Sequence, residues 1–168
     1  MTPPHALDRR WLQDAVDLSR RCPPKATAYA VDLSRRCPPK ATAYAVGAIV
    51  VGRDGTELAR GYSRETDPHV HAEESALVKL RGVDLSGATI YSSLEPCSVR
   101  QHRSPTCTSL ILAAGIRRVV LAMREPPIFV DCQGVELLAA AGVEVVELPD
   151  LADQVRAING YVMDVPGA

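Results

Sequence analysis

The sequence predicts an α/β domain, a three-layer α/β/α sandwich around a mixed five-stranded sheet. Three observations carry that expectation. Strand-like and helix-like segments alternate from residue 89 to residue 148 with short connections, which calls for parallel neighbours joined by right-handed crossovers. Ahead of them the turn Gly52-Arg53-Asp54-Gly55 separates two apolar runs and gives an antiparallel hairpin. The 168 residues, 46% hydrophobic and 23% charged, suit one domain over 1–168 with a real core.

The first element is a helix with Trp11, Leu12, Ala15, Val16 and Leu18 on one face, ended by a Pro-Pro break. It runs into an identical tandem repeat: AVDLSRRCPPKATAY occupies residues 15–29 and again residues 30–44. Solenoid repeats need about three copies to bury a shared core, so one perfect duplicate is an insertion rather than a repeat architecture. The first copy is expected to form the helix, because loss of Trp11 packing costs about 3 kcal/mol or more while a fifteen-residue surface insertion costs modest closure entropy. The spare copy is then an excursion or a short extra helix, without chemistry of its own.

Ala45 to Val51 reads as a buried strand and Leu58 to Tyr62 as its return. Ala72, Ala76, Leu77 and Leu80 have helical spacing, closed by Gly82. Then follow a strand from Thr89 to Leu94, a helix from Thr106 to Ala114 ended by Gly115, and a strand from Val119 to Ala122. A helix from Val135 to Ala141 ends at Gly142, Val143 to Leu148 is the last strand, and Leu151 to Tyr161 is a final amphipathic helix.

Composition narrows the function. Lys and Arg number 19 against 20 Asp and Glu, so no overall field draws the chain to a nucleic-acid polymer or an anionic membrane. Apolar runs such as Val119 to Met123 fall far short of the roughly 18 residues that span a bilayer, and a soluble, cytoplasmic protein is expected. Five cysteines, two of them the duplicated pair Cys22 and Cys37, argue against a disulfide scaffold.

Chemistry concentrates in three short segments, His71-Ala72-Glu73, Pro96-Cys97 and Cys107, each at or near the beginning of a helix. One imidazole and two thiolates make three protein donors, the number expected where zinc keeps its fourth position for water. Zinc lowers the pKa of that water to about 7, and helix N-termini favour the anionic thiolates. Glu73, two residues from His71, is placed to carry the water proton to a leaving amine, which makes the chemistry hydrolytic deamination. An H-x-E segment followed by P-C-x-x-C is the signature of base-acting zinc deaminases. Here nine residues, Ser98 to Thr106, stand between the two cysteines instead of two.

The stretch SLEPCSVRQHRSPTCTSLILAAGIRRVVLAMREP, with HAEESAL before it and LADQVRAIN after it, resembles the deaminase domain of bifunctional riboflavin biosynthesis proteins of the RibD type. The resemblance spans about residues 8 to 161 without the duplicate. It implies a cytidine-deaminase-like fold, one zinc ion on His71, Cys97 and Cys107, Glu73 as proton shuttle, and a homo-oligomer, dimer or tetramer. The implied reaction is deamination of a phosphoribosylated diaminopyrimidine, in a stand-alone chain that needs a separate reductase. The substrate-facing words differ from that family. A Pro-Asn-Pro is replaced at Thr42-Ala43-Tyr44, a His by Val99, a Gly-Tyr-His by Gly61-Tyr62-Ser63, and an Asp-Pro-Asn-Pro by Glu125-Pro126-Pro127-Ile128. Loss of several ring contacts points to a different or less decorated ring, so a cytosine-, guanine- or adenine-type base or nucleoside is the alternative substrate.

Other candidates weigh less. His69 is a second choice of ligand, or a substrate contact at the pocket mouth beside Ser63. Arg100, His102 and Arg103 are candidates for holding a substrate phosphate, with Arg103 aligning best, against an equal reading as a solvated loop. Tyr44 or Tyr62 is a candidate to stack on a ring, Glu95 serves as a cap or a support of the centre, and Cys132 is a packing thiol. A polynucleotide base editor is disfavoured by near-neutral charge and 4% aromatic content, and a non-catalytic zinc module by Glu73.

Overall fold

Each face of the sheet collects its own set of buried apolar side chains, and that two-sided burial builds the three layers. The computed structural model describes residues 4–19, 42–101 and 103–164. The spare copy up to residue 41, the Pro-Pro breaks, Cys22, Cys37, His102 and the side chain of Leu18 lie outside the described residues.

Helix α1 spans Pro4–Ser19 and takes its last residues from the first copy of the repeat. Leu12, Ala15 and Val16 are fully buried and Trp11 packs beside them, as the helical spacing predicts. The second copy contributes its end, Thr42 to Tyr44, to the segment leading into the sheet. Strands β1 (Gly47–Val51) and β2 (Glu57–Tyr62) form the antiparallel hairpin. Helix α2 (Ala72–Val78), β3 (Thr89–Ser92), α3 (Cys107–Ala113), β4 (Arg118–Leu121), α4 (Gly134–Ala140) and β5 (Glu144–Glu147) then alternate.

Strand order is β2-β1-β3-β4-β5. β1 pairs antiparallel with β2 and β3, whereas β3-β4 and β4-β5 are parallel, which is the expected mixed sheet. All five residues of the interior strand β1 are buried, because helices cover both of its faces. On one side Leu12 and Val16 of α1 meet Ile49, Tyr91, Val120, Val155 and Val162. On the other Val50, Ile90 and Val119 meet Ala76 of α2, Ile111 of α3 and Leu138 of α4. Asp8 ties α1 to the sheet, accepting from Tyr91 Oη (2.8 Å) and from both terminal nitrogens of Arg118 (2.8 and 2.7 Å).

The C-terminal region differs from the single helix the sequence predicts. A 3₁₀ turn, Pro149–Leu151, leads into α5 (Ala152–Ile158), and α6 (Gly160–Met163) follows after Asn159. The Asn159 amide bonds to backbone groups of Val155 and Ala45, and side-chain competition of this kind interrupts a helical ladder. The same bonds explain why Ala45 precedes β1 rather than joining it: its N–H and C=O are satisfied by a side chain instead of a neighbouring strand.

Candidate metal centre and active site

The three donors arrive from two loop-to-helix junctions. His71 is the N-cap residue of α2, with extended backbone (φ −90°, ψ 162°). Cys97 lies in the loop after β3, and Cys107 opens α3 behind Thr106, whose side chain accepts from Ser109 N–H and caps the helix. Residues of α3 grip the Cys97 loop directly. Cys107 N–H donates to Cys97 Sγ (3.3 Å), while Thr108 donates to Cys97 O through its N–H (3.2 Å) and its hydroxyl (2.9 Å).

His71 Nδ1 stands 3.5 Å from Cys97 Sγ and 3.5 Å from Cys107 Sγ, and the donor atoms of all three lie within 4.8 Å of one another. Tetrahedral zinc with Zn–S of about 2.3 Å and Zn–N of about 2.0–2.1 Å requires an S···N separation of about 3.6 Å. The donor set therefore fits that ion in both chemistry and spacing. Among the described residues no fourth His, Cys, Asp or Glu belongs to the group. The two buried thiols titrate as a pair: hydrogen bonding from Cys107, then His71, draws Cys97 down, and the bond to Cys97 together with burial pushes Cys107 up.

Glu73, on the first turn of α2, is 3% exposed and lines the same cavity. Its Oε1 accepts from Ser92 Oγ at the end of β3 (2.8 Å). Burial, followed by the negative Cys97, raises the carboxyl above its ordinary range. A buried carboxyl raised in a cleft is the kind of group that serves as a general acid or base.

The cavity holds about 730 Å³ and is lined by His71, Glu73, Cys97, Tyr44, Ser63, His69, Arg100, Arg103, Glu125 and Phe129 among others. The sequence candidates Tyr44, Ser63, His69, Glu95, Arg100 and Arg103 thus sit on its wall, and Tyr62 does not. Their polar groups are engaged. Ser63 Oγ accepts from Val46 N–H (3.1 Å), and Tyr44 packs edge-on against Phe129 with ring centres 5.3 Å apart. Arg103 bonds Glu74 (3.0 Å) and Asp67 (2.8 Å), which holds the Asp67 carboxyl below its usual range. Arg100, its side chain 4% exposed, bonds Glu74 (2.9 Å), His69 O (2.7 Å) and Pro105 O (3.1 Å). The two arginines therefore lash the inter-cysteine loop to the start of the helix that carries Glu73, and a substrate anion there would compete with two carboxylates. Glu95 lines the cavity and caps, accepting from Val135 N–H (2.9 Å) and Glu125 N–H (3.1 Å). Cys132 is half-buried at 3.7 Å from Pro96 O.

Ser92, Glu74 and Asp67 were not among the residues the sequence singled out, and Glu125 appeared there only as a replacement in a substrate-facing word. Glu125 lines the cavity and is raised to about 7, by burial first and by the negative Cys97 second. Gly61 carried a readable signal, since a glycine inside a strand marks close backbone approach. A Cβ there would lie 2.5 Å from Ala72 O and from Ala76 N, so its absence lets α2 seat His71 and Glu73 against β2.

Residues 20–123 match the model of the cytidine and deoxycytidylate deaminase zinc-binding region. A diaminohydroxyphosphoribosylamino-pyrimidine deaminase of Schizosaccharomyces pombe is 42% identical over 157 residues, covering 90% of this chain and 35% of that protein. The riboflavin biosynthesis protein RibD of Escherichia coli is 41% identical over 101 residues, 60% of this chain and 26% of that protein. The chain thus spans about a third or less of the length of these curated relatives. Among solved structures, a Thermotoga maritima diaminohydroxyphosphoribosylaminopyrimidine deaminase/5-amino-6-(5-phosphoribosylamino)uracil reductase superposes with TM-score 0.73 at 31% identity, over 95% of this chain and 42% of that one. With its three zinc donors gathered beside a buried glutamate on a five-stranded mixed sheet, the chain belongs to the cytidine and deoxycytidylate deaminase zinc-binding family.

Proposed function

We propose that this chain is a zinc-dependent hydrolytic deaminase of a small amino-substituted pyrimidine, with the diaminohydroxyphosphoribosylaminopyrimidine named for its relatives as first candidate substrate. The observation that carries the reading is His71 Nδ1 at 3.5 Å from both Cys97 and Cys107, with buried Glu73 lining the same cavity. His71, Cys97 and Cys107 would hold the ion, and bound zinc supplies a nucleophile at neutral pH by lowering the pKa of water to about 7.

The protein side chains do the rest. Ser92 holds Glu73 through Oε1, and the carboxylate carries the proton taken from water. Glu73 then returns that proton to the exocyclic amine, which departs as ammonia, and the remaining hydroxyl proton passes to the ring nitrogen, so that C=O and N–H replace the C–NH₂ and C=N of the ring. Burial favours the protonated carboxyl midway, and the ion pairs of Arg100 and Arg103 keep the two junctions in register. A cavity of about 730 Å³ has room for a ring with an attached sugar phosphate.

The replaced ring-contact words favour a second reading, a cytosine-, guanine- or adenine-type base or nucleoside as substrate. An ammonia-release screen over these compounds, their nucleotides and the diaminopyrimidine decides between them. Release from the diaminopyrimidine alone supports the first reading, release from a common base or nucleoside supports the second, and no release from any overturns both. A homo-oligomeric assembly and cytoplasmic residence belong to the same proposal and rest on the resemblance to riboflavin-pathway deaminases. Among the described residues no helix is long and apolar enough to cross a membrane.

A further inference from the structure

One wall of the cavity is the strap that leads into β1; Thr42, Ala43, Tyr44 and Val46 all line it. Two side chains near the far end of the chain hold the strap by its backbone. Asn159 is fully buried between α5 and α6, and its Oδ1 accepts from Ala45 N–H (2.7 Å) while its Nδ2 donates to Ala45 O (3.1 Å). A third bond, from Nδ2 to Val155 O (3.0 Å), fixes the plane of the amide. Two residues further on, Tyr161 Oη donates to Ala43 O (3.0 Å). These bonds leave the side chains of Thr42 and Tyr44 unused by the clamp, and they link positions 114 and 118 residues apart.

We propose that Asn159 and Tyr161 are positioning residues for the substrate: they set how far the strap stands into the cavity and so the fit of the ring-bearing molecule. The inference rests on reading the cavity as the substrate site. The zinc donors and Glu73 sit on other elements, α2 and the β3–α3 junction, so loosening the strap weakens substrate seating and leaves the metal centre intact. A buried backbone N–H and C=O deprived of partners drive the strap to a new position, since such groups are rarely left unpaired.

The test compares Tyr161→Phe and Asn159→Ala with the wild type, using the diaminohydroxyphosphoribosylaminopyrimidine as probe and measuring KM, kcat, bound zinc and melting temperature. Tyr161→Phe loses one hydrogen bond and is expected to raise KM about fivefold, with kcat and zinc content unchanged. Asn159→Ala is expected to raise KM more than that. Wild-type KM in both variants, or a fall in kcat at constant KM, overturns the proposal; should Asn159→Ala fail to fold, Tyr161→Phe decides alone. If the wild type releases no ammonia from the probe, the functional reading has failed for that compound and hydrogen exchange decides the clamp. Faster exchange at residues 43–46 in Tyr161→Phe, with 71–73 and 97–107 unchanged, supports it, and unchanged exchange at 43–46 overturns it.

Discussion

Replacing Gly61 with alanine tests whether the close seat of α2 on β2 places Glu73, the proposed proton carrier. The added methyl would lie 2.5 Å from Ala72 O, 2.5 Å from Ala76 N and 2.8 Å from Ser75 Cβ, against ordinary contact of 3.4–4 Å. Two of these atoms are backbone, so no side-chain rotation relieves the clash and α2 must retreat by about 1 Å. Overpacking of this kind costs about 1–3 kcal/mol, which lowers the melting temperature of a domain this size by about 2–12 °C. His71 and Glu73 move with the helix, and a misplacement of about 1 Å at a reacting group costs on the order of 100-fold in rate. Thermal melting, zinc analysis and ammonia release from the active substrate together read the outcome. Melting within about 1 °C of wild type with unchanged turnover would refute the reasoning, because α2 would then have tolerated the methyl without carrying the site away.

Glu73→Gln should keep its zinc and lose ammonia release by about 10²–10⁴-fold, whereas Ser92→Ala, which removes one bond to that carboxylate, should lose about tenfold or more; full turnover in Glu73→Gln removes Glu73 from its role. Arg118→Ala removes two bonds, of 2.8 and 2.7 Å, to the buried Asp8 carboxylate and should cost about 2–3 kcal/mol in denaturant unfolding. The Glu125 carboxyl, raised from 4.5 to about 7, keeps its proton in the folded state after the unfolded chain has lost it. Stability should therefore fall by about 3 kcal/mol as pH rises from 4.5 to about 7, and Glu125→Gln should abolish that part of the slope in pH-resolved melting. Removing Ala30 to Tyr44 yields the same sequence as removing the first copy and shortens the connection between Ser19 and Thr42 from 22 residues to seven. Activity should persist and stability rise by about 1 kcal/mol from reduced closure entropy; an inactive or unfolded product shows that the duplicate matters.

The alternation of elements was legible because helix and strand periodicities are short-range properties: Leu12, Ala15 and Val16 face inward because helical spacing aligns them. The donor set was legible for a similar reason, since His71 with Glu73 and Cys97 with Cys107 are each near neighbours in the chain and their chemistry is specific to zinc. The partners of polar groups were not legible. Arg100 and Arg103 have the same sequence whether they await a phosphate or hold Glu74 and Asp67, and packing 26 to 36 residues away chose the latter. The break at Asn159 was hidden as well, because an asparagine in an amphipathic run gives no sign that its amide is needed by Ala45, 114 residues earlier.

By itself, then, the sequence determined the alternation of helices and strands as far as β5 and brought the three donors and Glu73 forward as candidates, all of which depend on residue type and local spacing. The tertiary structure alone decided that His71 meets both thiols at 3.5 Å, that Ser92 orients Glu73, and that the C-terminal helices hold the cavity wall. Those relations exist once the sheet has brought distant segments together, because a hydrogen bond depends on where two groups end up in space and not on how far apart they lie along the chain.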